Sequence, residues 1–281
     1  MSALRVLLLT VVAMIAFAAN SLLCRLALRE GQIDAASFTT IRLASGALVL
    51  WLILRLQGGG AVRHGSWPSA FALFAYAAAF SFAYLTLPAA AGALLLFGAV
   101  QATMIGYGLW RGERLGLIQS GGLALACAGL VGLMLPGLSA PPLGGAVLMI
   151  MAGIAWGIYS LRGRGIGSAT ASTAGNFIRA LPFAAGLSIV TLPDAVVDAS
   201  GIGYAVASGA LASGLGYAVW YSALPGLRAT SAATVQLSVP VIAALGAALF
   251  LDESITLRLV LASLAVLGGI ALVTMGRNHG K

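Results

Sequence analysis

Ile15-Ala16-Phe17-Ala18-Ala19-Asn20-Ser21-Leu22 lies 139 residues ahead of Ile154-Ala155-Trp156-Gly157-Ile158-Tyr159-Ser160-Leu161, and the two stretches match at their aliphatic, small and aromatic positions. Two further matches keep nearly the same offset. Residues 93–135 align without a gap on 233–275, placing Glu113 on Glu253 and Gly129 on Gly269, and Arg42 falls on Arg179. A single match between apolar segments arises easily by chance, whereas three in order mark an internal repeat. The chain therefore reads as two homologous halves, 1–138 and 139–281.

The material of those halves is apolar. Of 281 residues, 60% are hydrophobic and 8% charged, with mean hydropathy +1.03, against roughly 25% charged residues in soluble domains. No water-facing surface can be assembled from that inventory. A hydrocarbon layer about 30 Å thick takes roughly 20 apolar residues per helix, so the chain holds about ten spans and has no room for a soluble domain. Apolar runs between charged or Gly/Pro-rich breaks place them near 4–24, 36–56, 68–87, 90–110, 115–135, 143–161, 171–192, 201–222, 229–250 and 255–276. Arg5, an apolar core and the Ala-Phe-Ala stretch before Ala19 resemble a cleavable leader. Because that stretch recurs inside the chain, it is read as a retained helix.

Each half holds an odd number of spans, five, so the halves enter the membrane in opposite orientations. This is an all-α integral membrane protein with ten transmembrane helices in a 5+5 inverted repeat, an architecture that permits a central site to face each side in turn. The net charge of +8 suggests a nucleic-acid binder in a soluble chain. Here it is topological. Arg5, Arg55, Arg63, Arg111, Arg114, Arg162, Arg164, Arg228, Arg277 and Lys281 fall on one side, and Arg25, Arg29 and Arg258 on the other. The bias places both termini in the cytoplasm and the protein in the cell inner membrane.

Small residues recur at four-residue spacing, Ser120, Ala124, Ala128 and Gly132 in span five and Ala205, Gly209 and Ser213 in span eight. Such stripes let helices approach closely in lipid and carry no substrate role here. Cys24 and Cys127 sit in apolar stretches without CxxC spacing, so neither a disulfide framework nor a metal site is expected. No cofactor is expected either.

Polar groups within spans are costly in hydrocarbon and turn toward the bundle interior or a wet cavity. Asn20, Gln101, Asn176 and Gln236 are the clearest, with Thr234 and Ser238 beside the last. Either helix-to-helix hydrogen bonding or substrate contact accounts for them, and Gln101 and Gln236 stand out because they lie on the repeated spans four and nine. Tyr76, Phe80 and Tyr84 recur every four residues along one face of span three. Span six adds Trp156 and Tyr159, and span eight adds Tyr217, Trp220 and Tyr221. These rings either pack, some at headgroup depth, or enclose an amphipathic ligand while a hydroxyl or indole N–H orients it. Arg42 and Arg179 are the intramembrane charges. Their depth allows a structural role, snorkelling to an interface, to backbone carbonyls or to Asp34, or else recognition of a substrate carboxylate or a part in a gate.

Ten spans, the five-plus-five repeat, Gly112-Glu113-Arg114-Leu115 closing span four and its partner Leu251-Asp252-Glu253-Ser254 resemble the drug/metabolite transporter superfamily, in its EamA-type ten-helix branch. The likeness covers nearly the whole chain and includes Pro240-Val241 in span nine, although span four carries Val100-Gln101 at the equivalent place. It implies export of amino acids or other small metabolites, similar to the YddG-type amino-acid exporters. It further implies a cavity among spans one, three, four, six, eight and nine, and a gating or structural place for Pro240.

The expected function is export of a small metabolite, foremost a neutral or aromatic amino acid, by facilitated movement or exchange, since no carboxylate lies mid-span to relay protons. A proton-coupled exporter of toxic compounds and a passive channel are the alternatives. An enzyme is set aside because no catalytic constellation appears: His64 and His279 lie in a loop and the tail, and HExxH, acid-pair and phosphate-cradling patterns are missing. The expected partners are a small-molecule substrate and the lipid bilayer, without nucleic acid, for a monomer or weak homodimer.

Overall fold

The computed structural model describes residues 2–58, 64–137, 140–163, 168–227 and 229–276. Arg63, Arg164, Arg228, Arg277, His279 and Lys281 lie outside the described residues, as does the boundary at 138 and 139 between the expected halves.

The chain folds as a bundle of helices: α1 (Ala3–Arg29), α2 (Ala35–Leu56), α3 (Trp67–Tyr84), α4 (Ala89–Trp110), α5 (Leu117–Met134), α6 (Leu143–Arg162) and α7 (Ala169–Val190). An α8 (Ala199–Val206) then runs through a π-helical stretch, Ala207–Leu215, into α9 (Gly216–Ala223) as one continuous rod. The short α10 (Ala229–Gln236) and α11 (Ser238–Phe250) are separated at Leu237, and α12 (Leu257–Gly276) closes the order. Among the described residues, eight helices are long and apolar enough to cross a membrane. The remaining two rods are α3, with its Pro, Ser and Tyr residues, and the interrupted α10 and α11. All ten expected spans are thus present, as an all-α membrane fold.

Local chemistry explains the boundaries. Asp34, Ser66, Ser168 and Asp198 each accept a backbone N–H in the first turn of the helix that follows, satisfying donors a helix start leaves unpaired. Gly112, at φ +89, ends α4 in the left-handed region that glycine adopts without strain. In span nine Pro240 lacks the N–H that would bond Gln236, and the helix breaks just before it. Two boundaries differ from expectation. Helix α1 continues to Arg29, bringing Arg25 and Arg29 onto the helix, and the rod from Ala199 contains the π-helical turns.

The helix contacts pair across the two halves: α2 packs on α7, α4 on α11 and α5 on α12, while α3 and α4 pack on α6 as α9 and α11 pack on α1. Each interface has a counterpart when first-half and second-half helices are exchanged. In lipid, close backbone approach supplies much of this association. A Cβ at Gly122 would meet the Gly269 carbonyl oxygen at 2.6 Å, and one at Gly129 would meet Ala265 at 2.8 Å. The seam of α5 is therefore Gly122, Ala126 and Gly129, all buried. The expected stripe of Ser120, Ala124, Ala128 and Gly132 faces outward instead, with Ser120, Ala124 and Ala128 exposed. In the eighth span Ala205, Gly209 and Ser213 are buried as expected, and a Cβ at Gly209 would strike the Arg42 carbonyl oxygen. Large apolar side chains such as Leu7, Leu8, Trp110 and Leu117 are exposed around the bundle, as helices facing hydrocarbon require.

Candidate functional site: a central aromatic cavity

A cavity of about 760 Å³ lies among helices of both halves, within the range of small-molecule sites. It reaches the bundle end formed by Ser69, Ile105, Gly163, Ala169 and Leu224, and runs inward to Ser21 and Phe80.

The walls come from α1, α3, α4, α6, α7, α9, α10 and α12 together with the π-helical stretch. Trp156 is the centre of the aromatic wall. It stacks on Tyr159 at 5.2 Å and on Tyr217 at 5.3 Å between ring centroids, and tilts against Tyr76 at 4.8 Å. Phe17 extends the wall to Tyr217 and Trp220, at 5.6 and 6.2 Å. Rings arranged this way present flat apolar faces and leave hydroxyl groups at their edges.

Polar contacts form two groups. Near the open end, Tyr159 donates to Thr173 at 3.5 Å, Thr173 to Tyr221 at 3.4 Å, and Asn176 to Tyr159 at 3.4 Å. Asn176 Oδ1 also accepts the Ser66 N–H at 2.9 Å, joining α7 to the start of α3. Deeper in, the Tyr76 hydroxyl accepts from Asn20 Nδ2 at 3.3 Å and from Arg42 Nη2 at 2.9 Å, while Asn20 Oδ1 accepts from Ser208 at 2.6 Å. Ser208 belongs to the π-helical stretch. Such wide turns often mark functional positions, and here they bring Ser208 to Asn20 and Ser213 to Arg42 Nε at 3.4 Å.

Of the residues singled out from sequence, Asn20, Tyr76, Phe80, Gln101 and Asn176 line the cavity, as do Trp156, Tyr159, Tyr217, Trp220, Tyr221 and Gln236. Gln236 also donates to the Ala232 carbonyl on its own helix at 3.3 Å. Tyr84 does not join them. It lies beyond the inner end, edge-on to Phe80 at 4.7 Å, with its hydroxyl donating to the Ala89 carbonyl. Pro240 is buried outside the lining. Arg179 is also outside it, donating to the His64 and Gly175 carbonyls. Arg42 neither snorkels nor reaches Asp34. It is 2% exposed and bonded to Tyr76 and Ser213, while the Asp34 carboxylate is taken up by the Ala36, Ser37 and Val196 amides. Phe17, Phe97, Ser172 and Thr173 line the cavity without having been singled out. Phe17 lies one helical turn before Asn20, and that spacing alone could have marked it.

The opposite bundle end is plugged. Arg25 Nε meets Glu253 Oε1 at 3.3 Å, and Arg25 Nη1 donates to the Tyr84 and Leu85 carbonyls at 2.9 and 3.2 Å. Glu253 Oε2 accepts the Ala89 N–H, the first of α4, at 2.7 Å. The adjoining Asp252 has φ +52, a turn that Asp tolerates better than most residues. Beyond the plug, Arg25, Pro88, Asp252 and Glu253 border a separate depression of about 370 Å³.

Apolar helices of membrane-crossing length around a central amphipathic cavity define a multi-pass membrane protein. The EamA-like transporter family model matches residues 143–275. The chain is 60% identical over 274 residues to the protein PA1977 of Pseudomonas aeruginosa, covering 97% of this chain and 96% of that one. It also shares its fold with a protein of known crystal structure, at TM-score 0.68 and 19% identity over 98% of each chain. The chain belongs to the EamA-like transporter family of the drug/metabolite transporter superfamily.

Proposed function

We propose that this protein exports small amphipathic metabolites, foremost neutral or aromatic amino acids, by alternating access through the central cavity. The halves 1–138 and 139–281 are the two mobile units. The observation that carries the reading is a cavity reaching one bundle end while Arg25 and Glu253 plug the other. Membership of a transporter family supports it, as does the exchange-symmetric pattern of helix contacts. The lining combines stacked rings with neutral hydroxyl and carboxamide groups, which suits a substrate with an apolar body and a few hydrogen-bonding groups. With no acidic side chain among those lining residues, facilitated movement or exchange is the favoured mechanism. The protein acts in the cell inner membrane with both termini cytoplasmic, as a monomer or weak homodimer, so the open end faces the substrate's source.

Purified protein in liposomes tests this directly. Labelled phenylalanine or leucine is expected to move down its gradient with saturable kinetics, accelerated by unlabelled substrate on the far side. Flux rising linearly with concentration and insensitive to substrate on the far side would establish a channel instead.

A further inference from the structure

We propose that the inner end of the cavity is a carboxylate-binding site, with the Tyr76 hydroxyl as the contacting donor and Arg42 as the charge behind it. The inference deepens the transporter reading and rests on it for the route by which a ligand enters.

The hydrogen-bond count at Tyr76 comes first. Its oxygen accepts from both Asn20 and Arg42. A phenol oxygen has two lone pairs and one proton, so the proton remains to be donated, and Tyr76 lines the cavity. A donor bonded from behind by a guanidinium is polarised, because chained hydrogen bonds reinforce one another where the dielectric is low.

The charge is the second observation. Arg42 is 2% exposed, and among the described residues it has no carboxylate within ion-pair distance. Its guanidinium lies over the Phe80 and Tyr76 rings, 4.9 and 5.2 Å from their centroids, and Nη1 is buried without a hydrogen-bond partner. Buried guanidinium groups are ordinarily paired or fully bonded. Arg179, the repeat counterpart, shows the ordinary outcome by resting on the His64 and Gly175 carbonyls. Arg42 has hydroxyl partners instead, groups that can rotate and leave net positive charge at the inner end of a cavity lined by neutral side chains. An anion there lowers the cost of that charge.

The matching ligand is a monocarboxylate with an apolar or aromatic body: the carboxylate meets Tyr76 and the body lies against Trp156 and Tyr217. Among the described residues no charged side chain lines the cavity to require an ammonium, so the site takes such carboxylates with or without one.

The test compares 3-phenylpropionate with its neutral isostere 3-phenylpropionamide, by calorimetric titration of the protein in lipid nanodiscs. Losing one charge-assisted hydrogen bond weakens binding by about tenfold or more, so the acid is expected to bind at least about that much tighter. In Arg42→Gln and Tyr76→Phe the ratio falls toward one. Should Arg42→Gln fail to fold, the wild-type ratio and Tyr76→Phe still decide. Equal affinities, no binding of either compound, or a ratio that survives Tyr76→Phe overturns the site. Flux assays in liposomes separate the two readings. Flux without acid preference overturns the carboxylate site alone, whereas acid preference without flux upholds the site and overturns the transporter reading.

Discussion

Arg25 on α1 and Glu253 just after α11 meet at 3.3 Å, and each also holds backbone of a third element. Arg25 bonds the last carbonyls of α3, and Glu253 bonds the first amide of α4. One ion pair thus fastens four helices where α3 turns into α4. A cation at a helix C-terminus and an anion at an N-terminus both also sit favourably in the helix dipoles.

If this plug separates the two cavities, weakening it admits solvent from the plugged side. Glu253→Gln keeps an acceptor for the Ala89 amide and removes the ion pair, a change of about 1 to 2 kcal/mol, which shifts an open-to-closed ratio by roughly tenfold. The check is thiol labelling of Leu87→Cys, a position buried in the turn between α3 and α4, with Cys24 and Cys127 replaced. The labelling rate is expected to rise by about that factor. Swapping the charges, Arg25→Glu with Glu253→Arg, is expected not to restore slow labelling, because the new carboxylate faces two carbonyls. Unchanged labelling in Glu253→Gln removes the pair from any gating role.

Close approach at the helix seams makes a second prediction. Gly209→Ala drives a methyl group into the backbone of α2 at the Arg42 carbonyl, and overpacking of this kind costs about 1 to 3 kcal/mol. The variant is expected to melt several degrees lower in detergent. Gly132→Ala, with open space around it, is expected to leave the melting temperature unchanged or slightly raise it. Equal effects at the two positions would contradict the assigned seams.

Those two glycines also show what sequence makes legible here. Ten spans, their approximate bounds, and the carboxamides and most of the rings of the lining followed from apolar length and from the polar and aromatic groups within the spans. The packing face of α5 did not. Ser120, Ala124, Ala128 and Gly132 form as regular a small stripe as Gly122, Ala126 and Gly129, and in lipid the outward face is as apolar as the inward one. Tyr84 shared the spacing of Tyr76 and Phe80, yet two helical turns of depth beyond Tyr76 place it in the plugged end. Arg42 lies at a distance from the helix end that permits snorkelling. What holds it inside is Tyr76 and Ser213, on helices far away in the chain. Depth and partner choice are tertiary properties, invisible to spacing along one helix.

The aromatic wall makes a third prediction. Trp156 contacts three other rings, so Trp156→Ala removes both a stacking face and the support for Tyr76 and Tyr217. Substrate affinity is expected to fall by tenfold or more, given about 0.5 to 1.5 kcal/mol per aromatic pair beyond area burial. Gln101→Ala and Tyr221→Ala each remove one polar contact and are expected to weaken binding several-fold. Unchanged affinity in all three variants would place the substrate elsewhere.

The plugged end has a pH dependence of its own, set by Asp34. Burial works to raise this carboxyl, but the Ser37 hydroxyl and the Ser37, Val196 and Ala36 amides outweigh it and hold it below the usual aspartate range. The bonds join the start of α2 to residues 195–198, where Ile33 and Val197 form an isolated antiparallel bridge. A group ionising more readily when folded favours the folded state only while ionised. Its contribution is therefore complete above the ordinary aspartate range and is lost as pH falls through the lowered folded value. Asp34→Asn keeps one acceptor and removes the charge. It is expected to lower the melting temperature at pH 7 and to flatten its decline on the acid side, so that mutant and wild type converge under strongly acidic conditions. Parallel melting curves across that range would show that the Asp34 charge contributes nothing to the junction.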